Sequence, residues 1–339
     1  MAKATPDGAL VAAIDLGTNA FRLLVADTGP DGCVNARHVH RVFPRLGEGV
    51  GRTGRLSQPA ITRSMAALEE IRSVMARFPV DAVVAVATSA VREAANAAEF
   101  LDRAKTDAGL DVEVISGGEE ARRTWLGVRA GLAASGRAVG DAVVMDIGGG
   151  STELISVRGG EFHHAMSLDL GVVKLTERCV AHDPPRGDEL RRLDDEAREA
   201  LSEALPVREA SGPRPAVIGT AGTVTAAAVL HLGLTRYEPA LIHDRVIPRS
   251  AVRDVAARLS RMTADERRRL PSLDRGREDV ILAGLAILGE ALDFLGAEDV
   301  RVSEYGLREG LVIDWAARHL ASRAVRSGLG RSREKPTGQ

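Results

Sequence analysis

With 339 residues the chain exceeds the size at which one hydrophobic core usually stays undivided, so two domains are expected. Forty-five basic residues against 47 acidic ones leave a net charge of −2, which excludes a protein that coats a nucleic acid polymer through bulk positive potential, so any polyanion site must be local. Two cysteines in no metal-like spacing, Cys33 and Cys179, exclude a disulfide framework; a polar Met1–Gly8 and no run of ~18 uncharged apolar residues argue for a cytoplasmic protein with no membrane span.

The first element is an apolar run, 11–14, that ends in Asp15-Leu16-Gly17-Thr18-Asn19 and is followed by a second apolar run, 21–26: a strand, a polar turn and a strand. A strand at 35–42, a helix at 58–78, a strand at 81–87, a helix at 94–105 and a strand at 112–115 follow. Ile61, Met65, Leu68, Ile71, Met75 and Phe78 recur at spacings of three and four, the core stripe of an amphipathic helix. Ser116-Gly117-Gly118-Glu119 reads as a capping box that opens a further helix.

The polar stretch 133–140 marks a boundary. Beyond it the opening plan returns: an apolar run 143–145, the turn Asp146-Ile147-Gly148-Gly149-Gly150-Ser151-Thr152 and a strand 153–157, which points to an internal duplication. Strands at 161–167, 216–219 and 299–302 and helices at 188–204, 249–259 and 277–295 complete this half. Such alternation favours an α/β fold with mixed sheets flanked by helices, divided into domains at 9–132 and 133–317 with a basic, partly disordered tail at 318–339. His163 and His164, on a strand without a carboxylate at ligand spacing, are surface residues.

The turns carry the chemistry. Glycines let the main chain approach a ligand and turn successive N–H groups into one concavity, while an aspartate at a strand end can hold a divalent cation. That makes Gly17, Thr18 and Asn19, and Gly148, Gly149, Gly150, Ser151 and Thr152, phosphate-binding candidates, with Asp146 and Asp15 as metal ligands. A third turn, Gly219-Thr220-Ala221-Gly222-Thr223, precedes a helix-compatible stretch and adds Gly219, Thr220, Gly222 and Thr223.

Two Asp-Gly turns followed by this third one form a layout similar to the actin-like, sugar-kinase and heat-shock-protein ATPase superfamily. That resemblance implies two ribonuclease-H-like domains with an interdomain cleft. Within it, the Asp15 turn with Arg22-Leu23-Leu24, Ala87-Thr88-Ser89-Ala90-Val91-Arg92, Ile115-Ser116-Gly117-Gly118-Glu119-Glu120-Ala121-Arg122, Asp146 through Glu153, and Gly306-Leu307-Arg308-Glu309-Gly310 resemble the exopolyphosphatase / guanosine pentaphosphate phosphatase family. The match runs from about Val11 to Trp315 and fits the short, two-domain members.

The resemblance implies hydrolysis of a terminal phosphoanhydride in inorganic polyphosphate or guanosine pentaphosphate, with magnesium, or manganese in its place, and a homodimer. It implies Glu120 as general base for the attacking water, Glu153 as the group that orients water or metal, and Arg22 and Arg92 near the phosphates. Arg41 and Arg45, before Gly47-Glu48-Gly49, match a loop at the cleft mouth. Departures are Ala20, where many relatives have serine, and Asp244 after His243, where glycine is common. Asn96 is expected to cap a helix, and the apolar helix 280–295 offers a dimer face. Competing classes are an ATP-driven kinase or ATPase on the same fold and a silent sensor that only binds its polyanion.

Overall fold

The computed structural model describes residues 8–29, 31–211, 215–271 and 273–331, with side chains in the last helix as far as Leu320. The first half runs β1 (Ala9–Leu16), β2 (Phe21–Thr28), β3 (Val34–Val42), α1 (Val50–Thr53), α2 (Gln58–Met75), β4 (Ala82–Ala87), α3 (Ser89–Glu93), α4 (Ala97–Thr106), β5 (Val112–Val114) and α5 (Gly117–Ala134). The second runs β6 (Ala142–Ile147), β7 (Thr152–Arg158), β8 (Glu161–Leu168), α6 (Val172–Cys179), α7 (Gly187–Ser202), α8 (Leu205–Ser211), β9 (Ala216–Thr220), α9 (Ala221–His231), α10 (Pro239–Ile242), β10 (Val246–Pro248), α11 (Arg249–Leu259), α12 (Ala264–Arg268), α13 (Ile281–Leu295), β11 (Asp299–Val302) and α14 (Leu307–Arg331).

The duplication is written in the topology. In the first sheet β1, β2 and β3 form an antiparallel meander, and β4 and β5 add in parallel beside β1. In the second, β6, β7 and β8 repeat the meander, β9 and β11 add in parallel, and β10 closes the edge antiparallel to β11. β1 is apolar almost throughout because both its faces are covered. Ala12, Ile14 and Leu16 face α2 through Ile61, Leu68 and Ile71, whereas Ala9, Val11 and Ala13 face α14.

That second contact is an exchange. Helix α5, which ends the first half, lays Ala121, Trp125, Val128 and Leu132 on Ala142, Val144, Ile155 and Val157 of the second sheet. Helix α14, which ends the second half, returns to the first sheet and covers it with Leu307, Leu311, Val312, Ala316 and Leu320. The two helices meet backbone to backbone: a Cβ on Gly127 would lie 2.0 Å from the Gly306 carbonyl oxygen, and one on Gly310 1.7 Å from that of Arg123.

Several expectations change. The helix expected over 94–105 starts at Ala97, because the Asn96 amide clamps the Leu56 main chain, accepting from its N–H at 2.8 Å and donating to its carbonyl at 3.0 Å, instead of capping. Half of the capping box forms: Ser116 accepts from the Glu119 amide, and the Glu119 carboxylate pairs with Arg122. Helix 280–295 offers no dimer face, since Ile281, Leu282, Leu285, Ile287, Leu288, Leu292 and Leu295 are buried inside the second half, as expected of a helix apolar all round. The tail expected from 318 overlaps α14 as far as Arg331, and 332–339 lie outside the described residues. Among the described residues no helix is long and apolar enough to cross a membrane.

Candidate active site

Each sheet ends in a row of side chains set by strand register. Asp15 on β1 stands opposite Arg22 on β2, and Arg22 opposite Arg41 on β3. In the second sheet Asp146 on β6 stands opposite Glu153 on β7, and Glu153 opposite Ser167 on β8. Directly paired residues share a face, so the duplicated aspartates meet a cation in one copy and an acid in the other. The Arg22 guanidinium is 3.6 Å from the Asp15 carboxylate, and Ser167 donates to Glu153 Oε1 at 2.7 Å.

The turns after the aspartates close alike, with the Gly17 N–H donating to the Ala20 carbonyl at 3.1 Å and the Gly148 N–H to that of Ser151 at 2.9 Å. They then touch one another across the cleft. A Cβ on Gly149 would lie 2.9 Å from the Asn19 nitrogen, and one on Gly150 2.6 Å from the Thr18 hydroxyl, so only glycine lets them approach. The third turn joins them at the strand end, with Thr220 opposite Asp146 and Ala221 at φ 65, a conformation alanine rarely takes. Asp15, Gly17, Thr18, Asn19, Arg22, Glu120, Asp146, Gly148, Gly149, Gly150, Ser151, Thr220, Gly222 and Thr223 all line this one cleft.

The other expected residues stand back from it. Glu153 is buried behind the second turn, and Arg92 donates to Glu120 Oε2 at 3.2 Å and to the Ile115 carbonyl at 2.9 Å, so it holds the glutamate. The Thr152 hydroxyl donates to the Leu170 carbonyl at 2.5 Å. Gly219 sits within β9, where a Cβ would meet Val224 at 2.8 Å, so its role is packing.

The sequence profile of the Ppx/GppA phosphatase family matches residues 35–319. Exopolyphosphatase 2 of Mycobacterium tuberculosis is 36% identical over 321 residues, covering 90% of this chain and 98% of its own. The chain belongs to the Ppx/GppA phosphatase family. The crystal structure of an exopolyphosphatase from Cytophaga hutchinsonii matches with a TM-score of 0.81 at 27% identity, covering 90% of this chain and 97% of that one. The Aquifex aeolicus member of the family matches with a TM-score of 0.75 at 32% identity, covering 92% and 98%.

In this Ppx/GppA member the cleft gathers groups that the sequence reading passed over. Arg277, the buried residue just ahead of α13, stands against Gly222, where a Cβ would lie 1.8 Å from its guanidinium, and over the Phe43 ring at 5.7 Å. Nothing local marks it, since it sits in a run of mixed charge, Asp274-Arg275-Gly276-Arg277-Glu278-Asp279, that resembles an exposed polar lead-in to an apolar helix. Arg308 and Glu309 also line the cleft, and their signal was present in the Gly306 to Gly310 string. The left-handed backbone at Asp244, φ 62, is the conformation glycine favours; here its carboxylate is held by Arg137 at 2.6 Å and Arg301 at 2.7 Å.

Charge in the cleft is frustrated. Burial pushes the carboxyls of Glu120, Glu153, Asp146 and Asp15 above the usual range, and repulsion from Glu153 and Asp146 raises Glu120 further. Arg22 works against the rise at Asp15 and Asp146, as Arg92 does at Glu120. Burial, with Arg22 and Arg41 nearby, brings Arg277 down to about 10. Buried polar atoms without a partner cluster here too: Thr18 Oγ1, Asn19 Oδ1, Glu153 Oε2 and Arg308 Nη1.

Of these, the oxygens of Thr18 and Asn19, with the Asp15 and Asp146 carboxylates, are hard donors of the kind magnesium takes, whereas Arg308 Nη1 suits a phosphate oxygen. Among the described residues no three His, Cys, Asp or Glu form a ready metal cage, and magnesium characteristically uses one or two carboxylates completed by water and substrate phosphates.

A pH effect follows. A carboxyl raised in the fold gives up its proton more readily in the unfolded chain, so stability falls as pH climbs from the ordinary carboxylate range toward the folded value. The ligand-free protein is expected to melt higher at about pH 6 than at about pH 8. Equal melting temperatures at both would show that these buried carboxyls are not raised in the fold.

Proposed function

We propose that this chain is an exopolyphosphatase, which splits the terminal phosphoanhydride of inorganic polyphosphate with water and releases orthophosphate. The observation that carries the proposal is Glu120, a buried carboxyl with a raised pKa, on the wall of a cleft where three glycine turns and the guanidinium groups of Arg22, Arg41, Arg277 and Arg308 meet the aspartates Asp15 and Asp146. Glu120 takes the proton as the water oxygen bonds to the terminal phosphorus; the bridging P–O bond breaks and its electrons leave on the shortened chain. Arg92 keeps Glu120 aimed, and Glu153, opposite Asp146 behind the second turn, acts on Glu120 through its charge from outside the cleft. Arg22 and Arg277 offset charge on the phosphate oxygens, and the main-chain N–H groups of the turns hold the terminal phosphate. Magnesium, or manganese in its place, would be held by Asp146 with Asp15 and would neutralise charge on the phosphoryl oxygens.

Guanosine pentaphosphate is the second substrate we propose, because its 5′ end carries the same anhydride and a cavity of about 650 Å³ adjoins the cleft. Phe43, Tyr237 and Tyr305 line that cavity, and it shares Arg41 and Arg308 with the cleft.

Time-resolved phosphate release from short polyphosphate, long polyphosphate, guanosine pentaphosphate and ATP at matched concentrations tests both. Release from the first three at well above the rate for ATP is expected. A marked preference for ATP with a sugar acceptor would make it a kinase, and tight binding with no release under any divalent metal would make it a sensor.

A further inference from the structure

We propose that Asp274 is a built-in competitor for the substrate's phosphates, and so a specificity-determining residue that favours chains over single phosphate ions. The proposal rests on the exopolyphosphatase reading. Asp274 lies between α12 and α13, where one carboxylate oxygen, Oδ2, accepts from Arg41 Nη1 of the opposite half and from Arg277 Nε at 3.3 Å. Both of those arginines line the phosphate cleft, whereas Asp274 itself lines only the adjoining cavity. One carboxylate on the far side therefore occupies two guanidinium groups that otherwise face phosphate.

The three groups differ in freedom. The Arg277 side chain is 8% exposed and wedged between Gly222 and Phe43, so it stays in place; the Asp274 side chain is 35% exposed and can turn to water. Arg41 Nε is buried without a partner, which leaves that guanidinium under-used by the ion pair alone. A phosphate has oxygens enough to meet both forks at once.

Competition then depends on how the anion arrives. Asp274 is tethered and always present, so a free orthophosphate must displace it without help. A chain whose terminal phosphate already sits in the turns brings its next phosphates to Arg41 and Arg277 at high effective concentration, and displaces the carboxylate more readily. Product leaves as Asp274 returns.

Equilibrium binding of orthophosphate and of tripolyphosphate, measured on Glu120→Gln protein so that the chain survives, tests this. Adding Asp274→Asn is expected to tighten orthophosphate by about threefold to tenfold, the span of two partly exposed ion pairs, and tripolyphosphate by less. Asp274→Glu should keep the parent ratio, and Asp274→Ser should behave as Asp274→Asn if that variant melts early. An unchanged ratio, or weaker binding of both ligands, overturns the role of Asp274 alone. A Glu120→Gln parent that binds no tripolyphosphate overturns the exopolyphosphatase reading and this proposal with it.

Discussion

Glu120→Gln is expected to lower phosphate release by about a hundredfold to ten-thousandfold, the usual worth of a general base, while raising the melting temperature. The two effects share one cause. Glu120 is buried among Glu153, Asp146 and Asp15, whose charges make its ionised form costly in the fold. Glutamine has nearly the same shape and can still accept from Arg92, which stays anchored on the Ile115 carbonyl, but it carries no charge and takes no proton. Steady-state release and thermal melts on the same preparations check this. Near-normal turnover would remove Glu120 from the mechanism, and a lower melting temperature would mean that its charge is compensated by something other than Arg92.

The largest effect on stability is expected at Gly310. A methyl group there would stand 1.7 Å from the Arg123 carbonyl oxygen, a clash with backbone that no side-chain rotation relieves. Arg123 cannot retreat easily, because it is buried and its guanidinium grips Glu113 through two bonds of 3.0 Å each. Overpacking of a tight contact costs about 1–3 kcal/mol and more where backbone must move, so in a chain of 339 residues Gly310→Ala should melt lower by roughly 2–5 °C. Activity should fall as well, since Arg308 and Glu309 on the same helical turn line the cleft. A variant that melts with the parent would mean that α5 and α14 do not lie this close.

Much of this was readable in the chain itself, for physical reasons that differ by element. The Asp15 and Asp146 turns announce themselves because the signal is local: an apolar strand, an aspartate, then glycines where main chain must come close. The α2 stripe is equally local, and Ile61, Leu68 and Ile71 are buried where the spacing put them. What the spacing could not carry is register. That Arg22 faces Asp15 and Glu153 faces Asp146 depends on strand pairing, which also takes Thr152 and Gly219 out of the cleft lining and into contacts with Leu170 and Val224. Arg277 and Asp274 were invisible for the same reason, being brought to Arg41 from more than 200 residues away. The apolarity of α13 was plain; taking it for an exposed face ignored that a helix apolar on every side belongs inside.

The exchange of α5 and α14 has a consequence for biosynthesis. Ala9, Val11, Ala13, Leu24 and Ala26 emerge from the ribosome about 280 residues before the helix that covers them, which begins at Leu307. At roughly 5–20 residues per second that apolar face stays bare for on the order of 15–60 s. The first half therefore cannot complete its core while the second is being synthesised, and a nascent chain arrested before α14 presents a ready target for chaperones and proteases.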